Sequence, residues 1–281
     1  MKPAILAQRL RPLLPVLRCP KCGASFTLTD LSLICESGHC YDLSRRGYVN
    51  LAPGHAQTGD RYDAQLFESR ARVLNYYRPV ADAACAMLAD RFAGGPFTLV
   101  DVGCGEGYYT RAVAERFPAA TAIGLDLSRD AVALAARTPS RAHWFVADLK
   151  RMPLRDGAAD VVLDVLSPAD YAGFRRALAP DGSFIKVVPG PDYLCEIRQA
   201  VAPYLRGGGT YDNAAVLAHL RAHAQVLCET PVHAVLPLSP EDSRAFLRMT
   251  PMTFSVPRPA LEAVSLSQIT LDLRVICCRL S

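Results

Sequence analysis

The chain has 281 residues, 51% of them hydrophobic and 21% charged, with a formal net charge of +4. That length holds one large domain, or one domain with a small appended module. The composition excludes a disordered or collagen-like chain. No apolar run approaches the roughly 18–20 residues that span a bilayer, and so small a net charge neither demands nor forbids a nucleic-acid partner.

The first residues, "MKPAILAQRLRPLLPVLRC", interrupt their apolar positions with arginines and lack a signal-peptide core. They read as a short amphipathic helix of a cytoplasmic protein. Ten cysteines suggest a disulfide framework at first sight. In a chain this long, clustered cysteines in a Cys-x-x-Cys arrangement point to metal instead. Cys19 and Cys22 flank Pro-Lys, and Cys35 and His39 flank Glu-Ser-Gly. Two short-range pairs of nitrogen and sulfur donors suit tetrahedral zinc, and Cys40, next to His39, competes for the fourth place. Between the pairs, "SFTLTDLSLI" alternates as a hairpin would and brings the two loops together. With all four positions filled by protein the site is structural, and a module this small needs its metal to fold.

A loop, "APGHAQTGDRYDAQ", leads into a helical pattern from Leu66 to Phe92. From Phe97 onward, the apolar runs "FTLVDVG", "TAIGLDL", "AHWFVAD", "ADVVLDVL" and "SFIKVVPG" alternate with helical stretches such as Tyr108 to Arg116 and Arg129 to Ala136. Continuous apolar strands between helices predict an α/β fold with a parallel sheet covered on both faces. The tail carries two more strands, "VHAVLPL" and "ITLDLRVICCRL". Between them Ser239, Pro240, Glu241 and Asp242 mark a helix start. Such a tail predicts an antiparallel edge. The chain thus divides into residues 1–50, helix and ribbon; 51–95, linker and helix over the site; and 96–281, the sheet domain.

The segment "DVGCGEGYYT" holds Gly103, Gly105 and Gly107 after a strand. It lacks the Gly-Lys-Ser/Thr ending of a triphosphate loop. Asp101, before the first glycine, would repel a pyrophosphate and suits a cationic or zwitterionic ligand such as the amino-acid end of S-adenosylmethionine. Asp126, with Leu127 beside it, ends the second strand, where an acid binds a ribose diol. Asp148, with Leu149, ends the third, where an adenine amino group would lie. Three acids at three successive strand ends mark the crevice in which open α/β sheets bind ligands. Each acid taken singly also reads as a helix cap or turn residue.

Together, "RCPKC", "ICESGH", "YDLSRRGYVNL", "TGDRYDAQLFESRARVL", the glycine loop, "LSPADYAGFRRALAPDGSFIKVVPGPDYLCEIR" and "LRMTPMTF" resemble the bacterial 23S rRNA (guanine-N1) methyltransferases, a family that includes macrolide-resistance members. The resemblance runs over most of the chain. It implies a Rossmann-like class I methyltransferase fold with an N-terminal zinc ribbon, S-adenosylmethionine as donor, and zinc on Cys19, Cys22, Cys35 and His39. It implies cofactor contacts from Glu106, Gly107, Tyr77 and Tyr193, and makes a homodimer plausible. Taken alone, either tyrosine also reads as packing.

Methyl transfer from a sulfonium is an in-line displacement, so positioning does much of the work. Guanine N1 must lose a proton to become nucleophilic. Asp164, at the end of the fourth strand, is the candidate base or else a hydrogen-bonding partner for the loop Leu166 to Asp170, and Asp60 is a candidate for closing over the cofactor. One departure concerns the partner. The stretch "NLAPGHAQTGD" after the ribbon has no cation, which leaves Lys21, Arg45 and Arg46, with Arg9, Arg11 and Arg18 on the N-terminal segment, to meet phosphates. A large-subunit rRNA hairpin is therefore the first substrate class. A small natural product with an aromatic or heterocyclic N–H is the alternative, and a non-catalytic RNA-binding protein the third reading.

Overall fold

The structure is a computed structural model that describes residues 2–54, 64–205, 209 and 211–281. Asp60 lies outside the described residues. Helix α1 (Pro3–Leu10) has Pro3 in its first turn, where a missing N–H costs no bond, and it buries Leu6, Ala7 and Leu10. Strands β1 (Phe26–Thr29), β2 (Ser32–Cys35) and β3 (Cys40–Asp42) form a three-stranded antiparallel sheet with Phe26 opposite Cys35. The expected hairpin is present.

This ribbon is fused to the body of the protein. The backbone amide of Arg18 donates to Pro153 at 3.0 Å, and that of Arg155 donates to Val16 at 2.9 Å. The Arg155 guanidinium donates to Ser25 Oγ at 2.6 Å. Leu10, Leu17, Phe26, Leu33 and Tyr41 belong to one buried cluster with Phe145 and Phe184 of the main sheet and with Leu154 and Phe174 beside it. Strand β4 (Val49–Asn50) then pairs in parallel with an edge of that sheet. Two residues are too short a run to register as a strand in sequence.

The main sheet adds β5 (Thr98–Val102), β6 (Thr121–Asp126), β7 (His143–Val146), β8 (Ala159–Val165), β9 (Leu178–Pro189), β10 (Ala224–Pro237) and β11 (Gln268–Leu280). Its order is β10-β11-β9-β8-β5-β6-β7-β4. Neighbours from β9 to β4 are parallel, whereas β11 is antiparallel to β9 and β10 to β11. The antiparallel edge expected from the tail is therefore observed.

Helices α2 (Ala64–Val73), α3 (Arg78–Phe92), α4 (Tyr108–Arg116), α5 (Arg129–Ala135), α6 (Tyr171–Ala177), α7 (Cys195–Ala200), α8 (Ala214–His223), α9 (Pro240–Met249) and α10 (Arg258–Glu262) complete the chain. Alternate strand residues point to opposite faces. Val100, Val162 and Phe184 meet α1, the ribbon, α6 and α8, while Leu99, Val161, Leu163 and Ile185 meet α3, α4, α7 and α9. The single helix expected over Leu66 to Phe92 is two, α2 and α3, joined by a tight turn at Leu74–Tyr77. Pro79 cannot donate a bond back to that turn, so a new helix starts with the proline in its first turn. Ser239 caps α9 as read, accepting from the Asp242 amide at 3.1 Å.

Candidate active site and metal centre

The two cysteine loops converge. The Cys19, Cys22 and Cys35 sulfurs and a ring nitrogen of His39 all lie within 4.8 Å of one another. Cys19 Sγ is 3.6 Å and Cys35 Sγ 3.4 Å from His39 Nδ1, and Cys22 Sγ is 3.6 Å from Cys35 Sγ. A zinc tetrahedron with ordinary bond lengths has edges of about 3.5–3.8 Å, so the donors fit the ion. Cys40 is exposed on β3 and outside this group, which separates it from His39 as a fourth donor. The Tyr41 hydroxyl, 3.6 Å from Cys19 Sγ, supports the set from behind.

A cavity of about 460 Å³ opens at the carboxyl ends of β5, β6, β8 and β9. Asp101, Gly103, Cys104, Gly105, Glu106 and Asp126 form one wall. Gly105 has φ +54, a left-handed conformation that a side chain would strain. Its amide donates to Asp126 Oδ2 at 2.9 Å, and the Ser128 amide donates to Oδ1 at 2.7 Å. Two backbone donors thus fix the Asp126 carboxylate for a ligand. Burial pushes the Asp126 carboxyl up, and these amides pull it back.

Asp101 is 1% exposed and accepts from the Thr110 hydroxyl at 2.5 Å. Burial pushes it up to about 7, against the Thr110 bond, with Asp164 and Asp126 adding to the rise. Glu106 is buried, and its Oε1 has no hydrogen-bond partner among the described residues. Burial raises Glu106 as well, opposed by Arg70, whose Nε lies 3.7 Å from Oε1. An orphaned buried oxygen beside a glycine loop is what a ligand hydroxyl would complete. The wall therefore fits S-adenosylmethionine.

Tyr77 and Tyr193 also line the cavity, with hydroxyls 2.7 Å apart. Burial pushes Tyr193 up to about 12, opposed by the Tyr77 hydroxyl and Arg70. The far wall holds Leu166, Ser167, Pro168, Pro189, Leu194, Arg198, Tyr211 and Met249 to Met252. Leu166 and Leu194 have φ of +54 and +53. Left-handed leucines are unusual, and both sit on this wall.

Several of the expected residues stand back from the cavity. Asp164 does not line the cavity: it is fully buried, and its Oδ2 accepts from Lys186 Nζ at 2.8 Å. Lys186 also donates to the Ser167 carbonyl, so the pair braces the loop that forms the far wall. Burial still pushes Asp164 up to about 6, with Lys186 opposing. Asp148 caps the turn Leu149–Arg151 by accepting from the Lys150 amide at 3.0 Å. Leu149 packs against the main core. Neither of them, nor Leu127, lines the cavity. Gly107 also stays behind the wall. It starts α4 at φ +74, and a Cβ there would overlap the Trp144 ring. On the N-terminal segment, Arg9 donates to the Ala142 carbonyl at 2.7 Å and Arg18 pairs with Asp156 at 3.1 Å. Those two arginines dock the N-terminal segment, whereas Lys21, Arg45 and Arg46 are exposed.

The small-molecule reading expects apolar and aromatic residues from Tyr193 to Tyr211 and from "MTPMTF" to cap the crevice, and Tyr193, Leu194, Tyr211 and Met249 to Met252 line it; Arg70, Tyr109 and Arg198 carried no such expectation. A lone arginine on a helix carries no local signal.

A family model described as "RlmA, N-terminal", a zinc ribbon, matches residues 17–58, and one described as "Methyltransferase domain" matches residues 99–182. The 23S rRNA (guanine(748)-N(1))-methyltransferase of Streptomyces fradiae is 32% identical over 94% of this chain and 96% of its own. YxjB of Bacillus subtilis (strain 168), named for 23S rRNA (guanine-N(1)-) methylation, is 36% identical over 92% of this chain and 95% of its own. The donor-shaped cavity thus stands in a methyltransferase domain, beside a ribbon that takes zinc, in a sequence shared with these relatives over nine-tenths of its length. The protein is an S-adenosylmethionine-dependent methyltransferase and belongs to the 23S rRNA (guanine-N1) methyltransferase family.

Proposed function

We propose that this enzyme methylates N1 of a guanine in large-subunit ribosomal RNA. The observation that carries the reading is the match over more than nine-tenths of both chains to relatives named for that reaction. S-adenosylmethionine supplies an electrophilic methyl on sulfur. Asp126 and Glu106 accept hydrogen bonds from its ribose, Asp101 faces its cationic end, and Gly103 and Gly105 let the backbone approach closely. Tyr77 and Tyr193 close the wall beside the loop, and Gly107 sets the helix behind it. Cys19, Cys22, Cys35 and His39 hold zinc.

The target base enters against the far wall. No carboxylate lines that wall among the described residues, and the cation there is Arg198. Asp164 is buried against Lys186, so the N1 proton leaves toward solvent. An RNA base must be splayed out of its stack to reach such a cavity. Residues 1–50 present Lys21, Arg45 and Arg46 to RNA phosphates, 51–95 cover the donor, and 96–281 position the transfer. No helix among the described residues is long and apolar enough to cross a membrane. The cytoplasm, where ribosomal RNA resides, is the assigned compartment. Val226, Leu227 and Val235, exposed on the outer strand β10, offer apolar surface for the homodimer that the family implies.

The test is transfer of labelled methyl to large-subunit rRNA, small-subunit rRNA, transfer RNA and a small-molecule extract in parallel. Label confined to large-subunit rRNA, recovered as N1-methylguanosine, supports the proposal. Label confined to a small molecule overturns it.

A further inference from the structure

We infer that Arg70 binds the α-carboxylate of the methyl donor, an inference that rests on reading the cavity as the S-adenosylmethionine site. The donor is zwitterionic at its methionine end. Its ammonium, sulfonium and ribose hydroxyls match acids, and its carboxylate does not. The cavity wall carries three carboxylates, Asp101, Glu106 and Asp126, and two guanidinium groups, Arg70 and Arg198. A carboxylate brought into this acid-rich, partly desolvated space needs a cation.

Arg198 is already committed. Its Nη1 donates to the Tyr193 carbonyl at 2.5 Å, its Nη2 donates to the Pro191 carbonyl, and its plane lies over the Tyr211 ring. Arg198 therefore holds the loop that carries Tyr193.

Arg70 is placed differently. It reaches from α2 across the glycine loop, with Nη1 3.7 Å from where a Gly105 Cβ would stand. Its Nε faces Glu106 Oε1 at 3.7 Å, too long for a hydrogen bond. Burial disfavours the ionised forms of Glu106, Asp126, Tyr77, Tyr109 and Tyr193, and the Arg70 charge opposes that at each of them. The helix that carries it is pinned to α9 by Arg72, whose Nε donates to Asp242 Oδ1 at 2.6 Å. A planar fork fixed over a glycine is suited to grip a carboxylate at both oxygens. Arg70 then leaves Glu106 free for the ribose.

The experiment is titration calorimetry on the zinc-loaded full chain without RNA. The ligands are S-adenosylhomocysteine and its decarboxylated analogue, and the proteins are native, R70K and R70M. The native protein is expected to prefer the carboxylate-bearing ligand by about tenfold or more, the worth of a charge-assisted bond. R70M is expected to lose that preference while melting as a folded protein, and R70K to retain part of it. Undiminished preference in R70M overturns the inference alone. Absence of binding by the native protein overturns both the inference and the cavity reading.

Discussion

Replacing Asp101 with asparagine separates stability from ligand binding. The carboxyl is 1% exposed, and burial moves it from an ordinary 3.8 to about 7. A carboxyl with a raised folded pKa keeps its proton in the folded chain after the unfolded chain has lost it. Stability therefore falls as pH rises from about 3.8 to about 7, and the cost is constant above. The full span is worth about 4 kcal/mol at about 1.4 kcal/mol per pH unit. Asparagine has the same shape, still accepts from the Thr110 hydroxyl, and carries no such cost. The advantage of D101N over the native protein should grow by roughly 2 kcal/mol between pH 5.5 and 8. At about 2–4 °C per kcal/mol for a chain of this size, that is about 4–8 °C in melting temperature. Circular dichroism melts of the zinc-loaded, ligand-free proteins at pH 5.5, 6.5 and 8 read the difference directly. S-adenosylhomocysteine binding should weaken in the same variant. A melting offset that stays constant with pH would refute the buried-carboxylate argument.

Other perturbations have equally definite outcomes. C22S and H39A should lose zinc, whereas C40S should keep one zinc per chain by atomic emission. Because Leu17, Phe26 and Tyr41 share a core with the main sheet, chelation should lower the melting temperature of the whole protein and not merely release its N-terminus. K186M leaves Asp164 buried without its partner and should cost about 3–5 kcal/mol in urea unfolding. Adding D164L to that variant should restore most of the loss, and no restoration would contradict the pairing. G107A must both hold a left-handed backbone and displace Trp144, for a cost of about 2–5 kcal/mol. G105A meets only Arg70 at 3.7 Å, so it should cost about 1–2 kcal/mol and act mainly on ligand affinity.

The legible parts of this chain were those written locally. Helix α4 was read at its observed ends, Tyr108 and Arg116, because a glycine loop and an apolar strand bracket it. The Ser239 cap and the four zinc donors likewise sit within a few residues of their own signals. Asp164 shows the limit. An acid at a strand end is visible in sequence, but its Lys186 partner arrives one strand over, and local pattern alone does not separate a base from a brace. Asp148 looks the same as Asp126 in sequence. It caps its own turn, whereas backbone amides aim Asp126 at the cavity. Arg70, Arg198 and Tyr211 meet only when distant segments fold together, and Leu166 and Leu194 adopt left-handed conformations that no leucine announces.

The most direct test of the account is reverse transcription across large-subunit rRNA treated with the purified protein and S-adenosylmethionine. The RNA should come from a strain lacking the gene. A methyl group on N1 blocks the Watson–Crick edge, so the account predicts one new stop next to a single guanine. That stop should need the donor, and the nucleoside should be N1-methylguanosine by mass. Donor consumed with no new stop on this RNA would contradict the account.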